Sequence, residues 1–120
     1  MNLSFKITSL YVCVKDMSRA IDFYENLLDI KVTEKSEIYS VFDINGFRYG
    51  LFAYKKTAEE KTWGNNCLPS FEVNNMDLFI KKLKKLNCSI VFPLTIIGKN
   101  KVLEFIDSEE NNIEITSPID

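Results

Sequence analysis

The sequence predicts an α+β fold: two tandem βαβββ modules whose curved mixed sheets surround a cavity, with the helices on the outside. Three observations predict it. Two segments repeat apolar residues at three- and four-residue steps, and each follows a stretch rich in β-formers. Asn45-Gly46 separates two further alternating stretches, and that dipeptide readily takes the positive φ angles of a tight hairpin. The halves of the chain also match at an offset of 59 positions, which carries Val14, Asp16, Met17, Ile21, Tyr24 and Leu27 onto Val73, Asn75, Met76, Ile80, Leu83 and Leu86. A lone module would leave one sheet face bare, so two are needed to bury it.

The elements follow in order. Lys6–Val14 alternates in polarity and is read as a strand. Asp16 can accept hydrogen bonds from the first free N–H groups of a helix, in which Met17, Ala20, Ile21, Tyr24, Leu27 and Leu28 form one apolar stripe. A strand is expected at Ile30–Thr33, then a hairpin of Tyr39–Ile44 and Phe47–Tyr54. The polar run 55–66 reads as a loop. Leu68–Val73 restarts the plan, with Asn74 or Asn75 as cap and a second stripe of Met76, Phe79, Ile80, Leu83 and Leu86. Strands are expected at Ser89–Phe92, at Leu94–Ile97 and Lys101–Ile106 around the turn Gly98-Lys99-Asn100, and at Asn112–Thr116, with Pro118 ending the order. One domain over 1–120 results, with module one at about 5–54 and module two at about 67–117.

Composition bounds the function. The 120 residues are 46% hydrophobic and 27% charged, an ordinary globular balance for one domain. A net charge of −2 does not favour nucleic acid. Met1–Val14 carries Lys6 and lacks the continuous apolar run of a signal peptide. No apolar stretch is long enough to cross a bilayer. Three cysteines with no CxxC pair argue for reduced thiols and a cytoplasmic location. The chain contains no histidine, so a Cys–His pair within one subunit is impossible, and Cys13 reads as a buried strand residue.

Two stretches carry a resemblance. The first is Leu10-Tyr11-Val12-Cys13-Val14-Lys15-Asp16-Met17, continued by Ala20-Ile21-Asp22-Phe23-Tyr24 and Leu27-Leu28. The second is Phe105-Ile106-Asp107-Ser108-Glu109-Glu110-Asn111-Asn112-Ile113-Glu114-Ile115. With the internal repeat, the chain resembles the glyoxalase/bleomycin-resistance/dioxygenase (vicinal oxygen chelate) superfamily over nearly its whole length. It departs at Ser108, where proline is usual, and at Glu110, where glycine is usual. Glutamate disfavours the positive φ that glycine allows, so this turn is expected to be reshaped.

The resemblance implies a divalent metal held by up to four side chains, two from the opening strands and two from the closing strands of the modules. Carried over, the opening positions are Ser9 and Leu68. Serine is a weak neutral donor and leucine is none. The first closing strand, Phe47–Tyr54, holds neither carboxylate nor imidazole, and only Glu114 survives. One carboxylate falls short of the three protein ligands a catalytic metal needs. The expectation is therefore no metal, no cofactor and no glyoxalase reaction. The alternative is a lyase-, isomerase- or dioxygenase-like enzyme with a site rebuilt from Glu114 and Glu72, Asp43 or Cys13.

Strand alternation points Ser9, Tyr11, Cys13, Ser70 and Glu72 the same way as Glu114. The expected ligand pocket comprises these residues with Leu68, Tyr49, Phe52 and Trp63, whose aromatic surfaces suit a planar ligand. Tyr49 and Phe52 also fit a core or dimer-interface role, and Trp63 fits interface packing. Glu114 is expected to be bonded to Ser9, Tyr11 or Thr116. The cluster Lys81-Lys82-Leu83-Lys84-Lys85 reads as the solvent face of a helix near its negative end. The function expected is binding of a small, partly aromatic or cationic molecule, with no nucleic-acid or membrane partner, and the resemblance implies a homodimer.

Overall fold

A computed structural model describes residues 3–56 and 68–119. Trp63 and Cys67 lie outside the described residues. The described elements run β1 (Ser9–Cys13), α1 (Met17–Leu28), β2 (Tyr39–Ile44), β3 (Phe47–Phe52), β4 (Ser70–Glu72), α2 (Met76–Lys85), β5 (Ile90–Ile97), β6 (Asn100–Ile106) and β7 (Asn112–Pro118). They form a three-stranded sheet in the order β1-β3-β2 and a four-stranded sheet in the order β4-β7-β6-β5. The first two strands of each order repeat one pattern: β1 runs parallel to β3 as β4 runs parallel to β7. Neither sheet closes into a barrel.

Each helix starts where its cap demands. The Asp16 carboxylate accepts from the N–H of Arg19 at 3.0 Å, and the Asn75 side chain accepts from the N–H of Leu78 at 3.1 Å. Asp29 ends α1 in the left-handed conformation (φ 56°). Asn45 (φ 50°) and Gly46 (φ 89°) make the hairpin turn that the sequence signals.

Three boundaries differ from the sequence expectations. No strand forms at residues 30–33, and the fourth position of the first sheet is reduced to one bridge, Glu34 to Val41. The N–H of Val32 is instead taken by the Glu25 carboxylate at 3.0 Å, which removes a donor a ladder would use. The two short strands expected at 89–92 and 94–97 are one strand, β5, with register irregularities on both sides of Phe92, the second of them spanning Pro93. Proline is tolerated there because β5 is an edge whose outer side has no partner among the described residues. Pro118 belongs to β7 rather than following it.

The apolar stripes of both helices face the same layer. Ala20, Ile21, Tyr24 and Leu27 pack on Val12, Leu51 and Tyr49, and Met76, Phe79 and Leu83 pack near Leu103, Phe105 and Ile113, all in one continuous cluster. The rings of Tyr49 and Phe71 meet at 5.2 Å and join the modules through that core. Among the described residues no helix is long and apolar enough to cross a membrane.

Candidate functional site

Alternation along the strands leaves a second sheet face, turned away from the helices. The register places Ser9 beside Arg48, Tyr11 beside Gly50 and Cys13 beside Phe52 on this face. In the second sheet it places Ser70 beside Glu114, Glu72 beside Thr116 and Glu104 directly opposite Glu114. The face is open: Tyr11 is 46% exposed.

Its first half is aromatic. Tyr11 meets Phe52 at 5.3 Å and Tyr39 at 5.9 Å between ring centroids, both edge-on, and Tyr39 lies 6.3 Å from Phe52. Such a cluster offers ring faces to a planar or cationic ligand. Burial raises the Tyr39 phenol above its ordinary value, with Arg48 pulling the other way, so the phenol remains a hydrogen-bond donor at neutral pH. The second half is acidic. The Ser70 hydroxyl donates to the Glu114 carboxylate at 2.7 Å, and the Asn112 amide donates to Glu104 at 3.0 Å.

The register also settles which residue of β3 answers to Glu114. The Val14 N–H donates to the Phe52 carbonyl as the Val73 N–H donates to the Thr116 carbonyl, both at 2.9 Å. Gly50 therefore stands where Glu114 stands in module two. The four positions that the superfamily resemblance assigns to a metal are Ser9, Gly50, Leu68 and Glu114, and they supply one carboxylate, one hydroxyl and nothing else. A Cβ built on Gly50 would lie 2.2 Å from the Tyr39 hydroxyl and 3.0 Å from the Tyr11 Cβ. The Tyr39 ring fills the space a ligating side chain would need. This donor set does not fit a tightly held divalent ion. Among the described residues no three His, Cys, Asp or Glu side chains converge so that they could hold one.

The two stretches that carry the resemblance pack against each other. The Glu109 carboxylate, with no exposed side-chain surface, accepts from the N–H groups of Lys15 (2.8 Å) and Asp16 (2.9 Å) and from both Nε (2.7 Å) and Nη2 (3.0 Å) of Arg19. Burial alone would raise this carboxyl. Arg19, the two N–H groups and the Ser108 hydroxyl outweigh burial and hold it below the usual carboxylate range. Tyr49 donates to the Tyr24 hydroxyl (2.8 Å), which donates to Asp107 (2.5 Å). Burial pushes both phenols well up and also raises Asp107, against the hydrogen bonds that favour its charged form. The turn is not reshaped to spare Glu110, which itself adopts φ 71°.

Of the sequence-predicted pocket residues, Ser9, Tyr11, Cys13, Phe52, Ser70, Glu72 and Glu114 share the open face. Tyr49 does not. At 1% exposure it lies on the helix side, because a residue three positions from Phe52 on a strand must face the other way. Leu68 is half-buried just before β4. Trp63 lies outside the described residues. Glu114 is bonded to Ser70, not to Ser9, Tyr11 or Thr116. Tyr39, Gly50 and Glu104 were missed. The two-residue spacing that puts Tyr39 on one face with Val41 and Asp43 signals the first, whereas the other two needed the inter-strand register.

Comparison with known proteins accords with this fold. Residues 7–120 match the Glyoxalase-like domain family. Among solved structures, a glyoxalase/bleomycin resistance protein/dioxygenase family enzyme from Burkholderia phytofirmans PsJN superposes with a TM-score of 0.77 at 17% identity, over 93% of this chain and 98% of that one. A glyoxalase/dioxygenase from Nostoc punctiforme gives 0.76 at 16% identity, over 100% and 99%. A glyoxalase/bleomycin resistance protein/dioxygenase from Alicyclobacillus acidocaldarius gives 0.69 at 17%, over 96% and 92%. Among curated proteins no sequence matches. Identities this low speak for the fold alone. With the family match over almost the whole chain, two repeated modules and the paired signature stretches, the chain belongs to the glyoxalase/bleomycin-resistance/dioxygenase superfamily.

Proposed function

We propose that this is a small-molecule-binding member of its superfamily that works without a metal, as a cytoplasmic homodimer, by sequestering or sensing a partly aromatic or cationic ligand on the open sheet face. The observation that carries the reading is Gly50, lying under the Tyr39 ring where module two has Glu114. In place of a chelating side chain this half of the face presents three aromatic rings, and the other half presents Glu104 and Glu114. Rings and carboxylates together suit an aryl or alkyl ammonium group.

A second copy fits the shape of the chain. The Cα radius of gyration is 15.2 Å, against about 13.6 Å for a compact domain of this length. Phe92 (64% exposed), Ile96 (65%) and Ile97 (60%) on β5 are bare, and an exposed apolar edge strand needs a partner or aggregates.

Thermal melts test the ligand. Benzyltrimethylammonium is expected to raise Tm, since only the folded state binds it, and divalent metals are expected to have no effect. Tyr11→Ala and Glu114→Gln should each reduce the shift. Stoichiometric divalent metal in the purified protein, or metal-dependent turnover, would refute the proposal. Light scattering with Phe92→Glu tests the dimer: the wild type is expected at twice the chain mass and the variant at one.

A further inference from the structure

We propose a second binding site, on the helix side of the molecule, for a small amphipathic organic anion. Its floor is the core layer and not the open sheet face, although Glu72 of that face also borders it, and it does not rest on the reading above. A crevice of about 800 Å³ runs between the end of α1, the β2–β3 turn and α2, a size that suits a small organic ligand. Its floor is apolar, with Leu27, Phe71, Phe79 and Phe105 among the residues that line it.

One wall is α2, which turns a second stripe toward the crevice beside the one it buries. Leu78, Lys81, Lys82 and Lys85 all line it, at the three- and four-residue spacing that puts side chains on one helix face. Leu78 is 61% exposed, an apolar group that nothing in the described core covers. Lys82 is committed: its ammonium donates to the Leu27 carbonyl (3.1 Å) and to the Asp29 carboxylate (2.5 Å), which ties α2 to the end of α1. Lys81 and Lys85 have no ion pair or side-chain hydrogen bond among the described residues. The basic cluster that the sequence reading leaves on a solvent face therefore presents, at a crevice with an apolar floor, two ammonium groups that no described residue pairs with.

The acids of the crevice are placed differently. Asp29 is neutralised by Lys82, and Asp43 accepts the Gly46 N–H within its own turn at 2.8 Å. Glu72, on β4, also lines the crevice and disfavours a second negative charge on the ligand. From Leu78 to Lys85 the helix rises about 10 Å. The ligand this geometry takes is a monoanion with an apolar body of about that length, lying along α2 with its acid at Lys81 and Lys85.

Amide chemical-shift mapping of the full chain with decanoate, below its micellar concentration, tests the proposal. Saturable shifts are expected at the amides of Leu78–Lys85 and Asp29–Ile30. Decanol and decylamine should bind about tenfold more weakly or worse. Lys81→Glu with Lys85→Glu should weaken decanoate by at least about tenfold, while the control Lys84→Glu, exposed but outside the crevice, should leave it unchanged. Lys81→Gln with Lys85→Gln serves if the charge-reversed variant loses its fold. Absence of saturable shifts at these amides, equal affinity for decanol, or shifts confined to the open face around Tyr11 and Glu114 would overturn it. Loss of benzyltrimethylammonium binding would leave it standing.

Discussion

Glu109 shows how one buried side chain can hold two modules. Its carboxylate satisfies the N–H groups of Lys15 and Asp16, just ahead of α1, and the Arg19 guanidinium at once. Glu109→Ala removes the acceptor and leaves those donors facing a void, so urea melts at pH 7 should show a loss of about 3 kcal/mol. The pH dependence has a definite sign. The folded-state pKa is depressed, so this group's stabilisation is present above its unfolded value and is lost as pH falls through the folded one. Glu109→Gln should therefore flatten the loss of stability on acidification. Asp107 acts the opposite way, because its folded pKa is raised and its contribution fades as pH rises. Beside them Glu110 holds φ 71°, a conformation that costs a non-glycine residue about 1 kcal/mol. Glu110→Gly should raise Tm by about 4 °C in a thermal melt. Its partner Lys15 loses an ion pair that is largely exposed on the Glu110 side, which subtracts little.

Among the elements, those with a strong period were legible in the sequence and those fixed by register were not. Both helices, their caps at Asp16 and Asn75 and the Asn45-Gly46 turn follow from local chemistry. Asn75→Ala should cost about 1 kcal/mol, read from the denaturant midpoint. The missing strand at 30–33 was not legible, because the Glu25 side chain that takes the Val32 N–H is a tertiary choice. The unity of β5 was hidden for a related reason. Pro93 breaks a central strand but is harmless on an edge, and edge position depends on sheet order. The site divides in the same way. Glu114 and Tyr11 could be read from motif and alternation, while Tyr49 was misplaced by ignoring that alternation. Glu104 and Gly50 became visible only once β7 and β3 were paired with their neighbours.

At the scale of the whole molecule, the modules share a core and their signature stretches bind across the junction, so neither half is complete alone. Fragments 1–56 and 68–120, expressed separately, are expected to be unfolded by circular dichroism and to gain structure on mixing. Tandem duplication was legible in the sequence as the 59-residue repeat. How the halves join was not, because Cys13, Asp16, Arg19 and Tyr24 meet Asn111, Glu109 and Asp107 across 83 to 98 residues of chain.

The ring lying over Gly50 bears on how the protein can change. An acid introduced at position 50 meets the Tyr39 hydroxyl at once, and shrinking Tyr39 without that acid merely opens a hole in the aromatic patch. Either step alone is a loss, and only the pair places a carboxylate where β3 answers to Glu114. Even that pair leaves Ser9 and Leu68 at the other two positions, short of the three ligands a tightly held ion needs, so single substitutions can alter what the cleft accepts without returning it to metal.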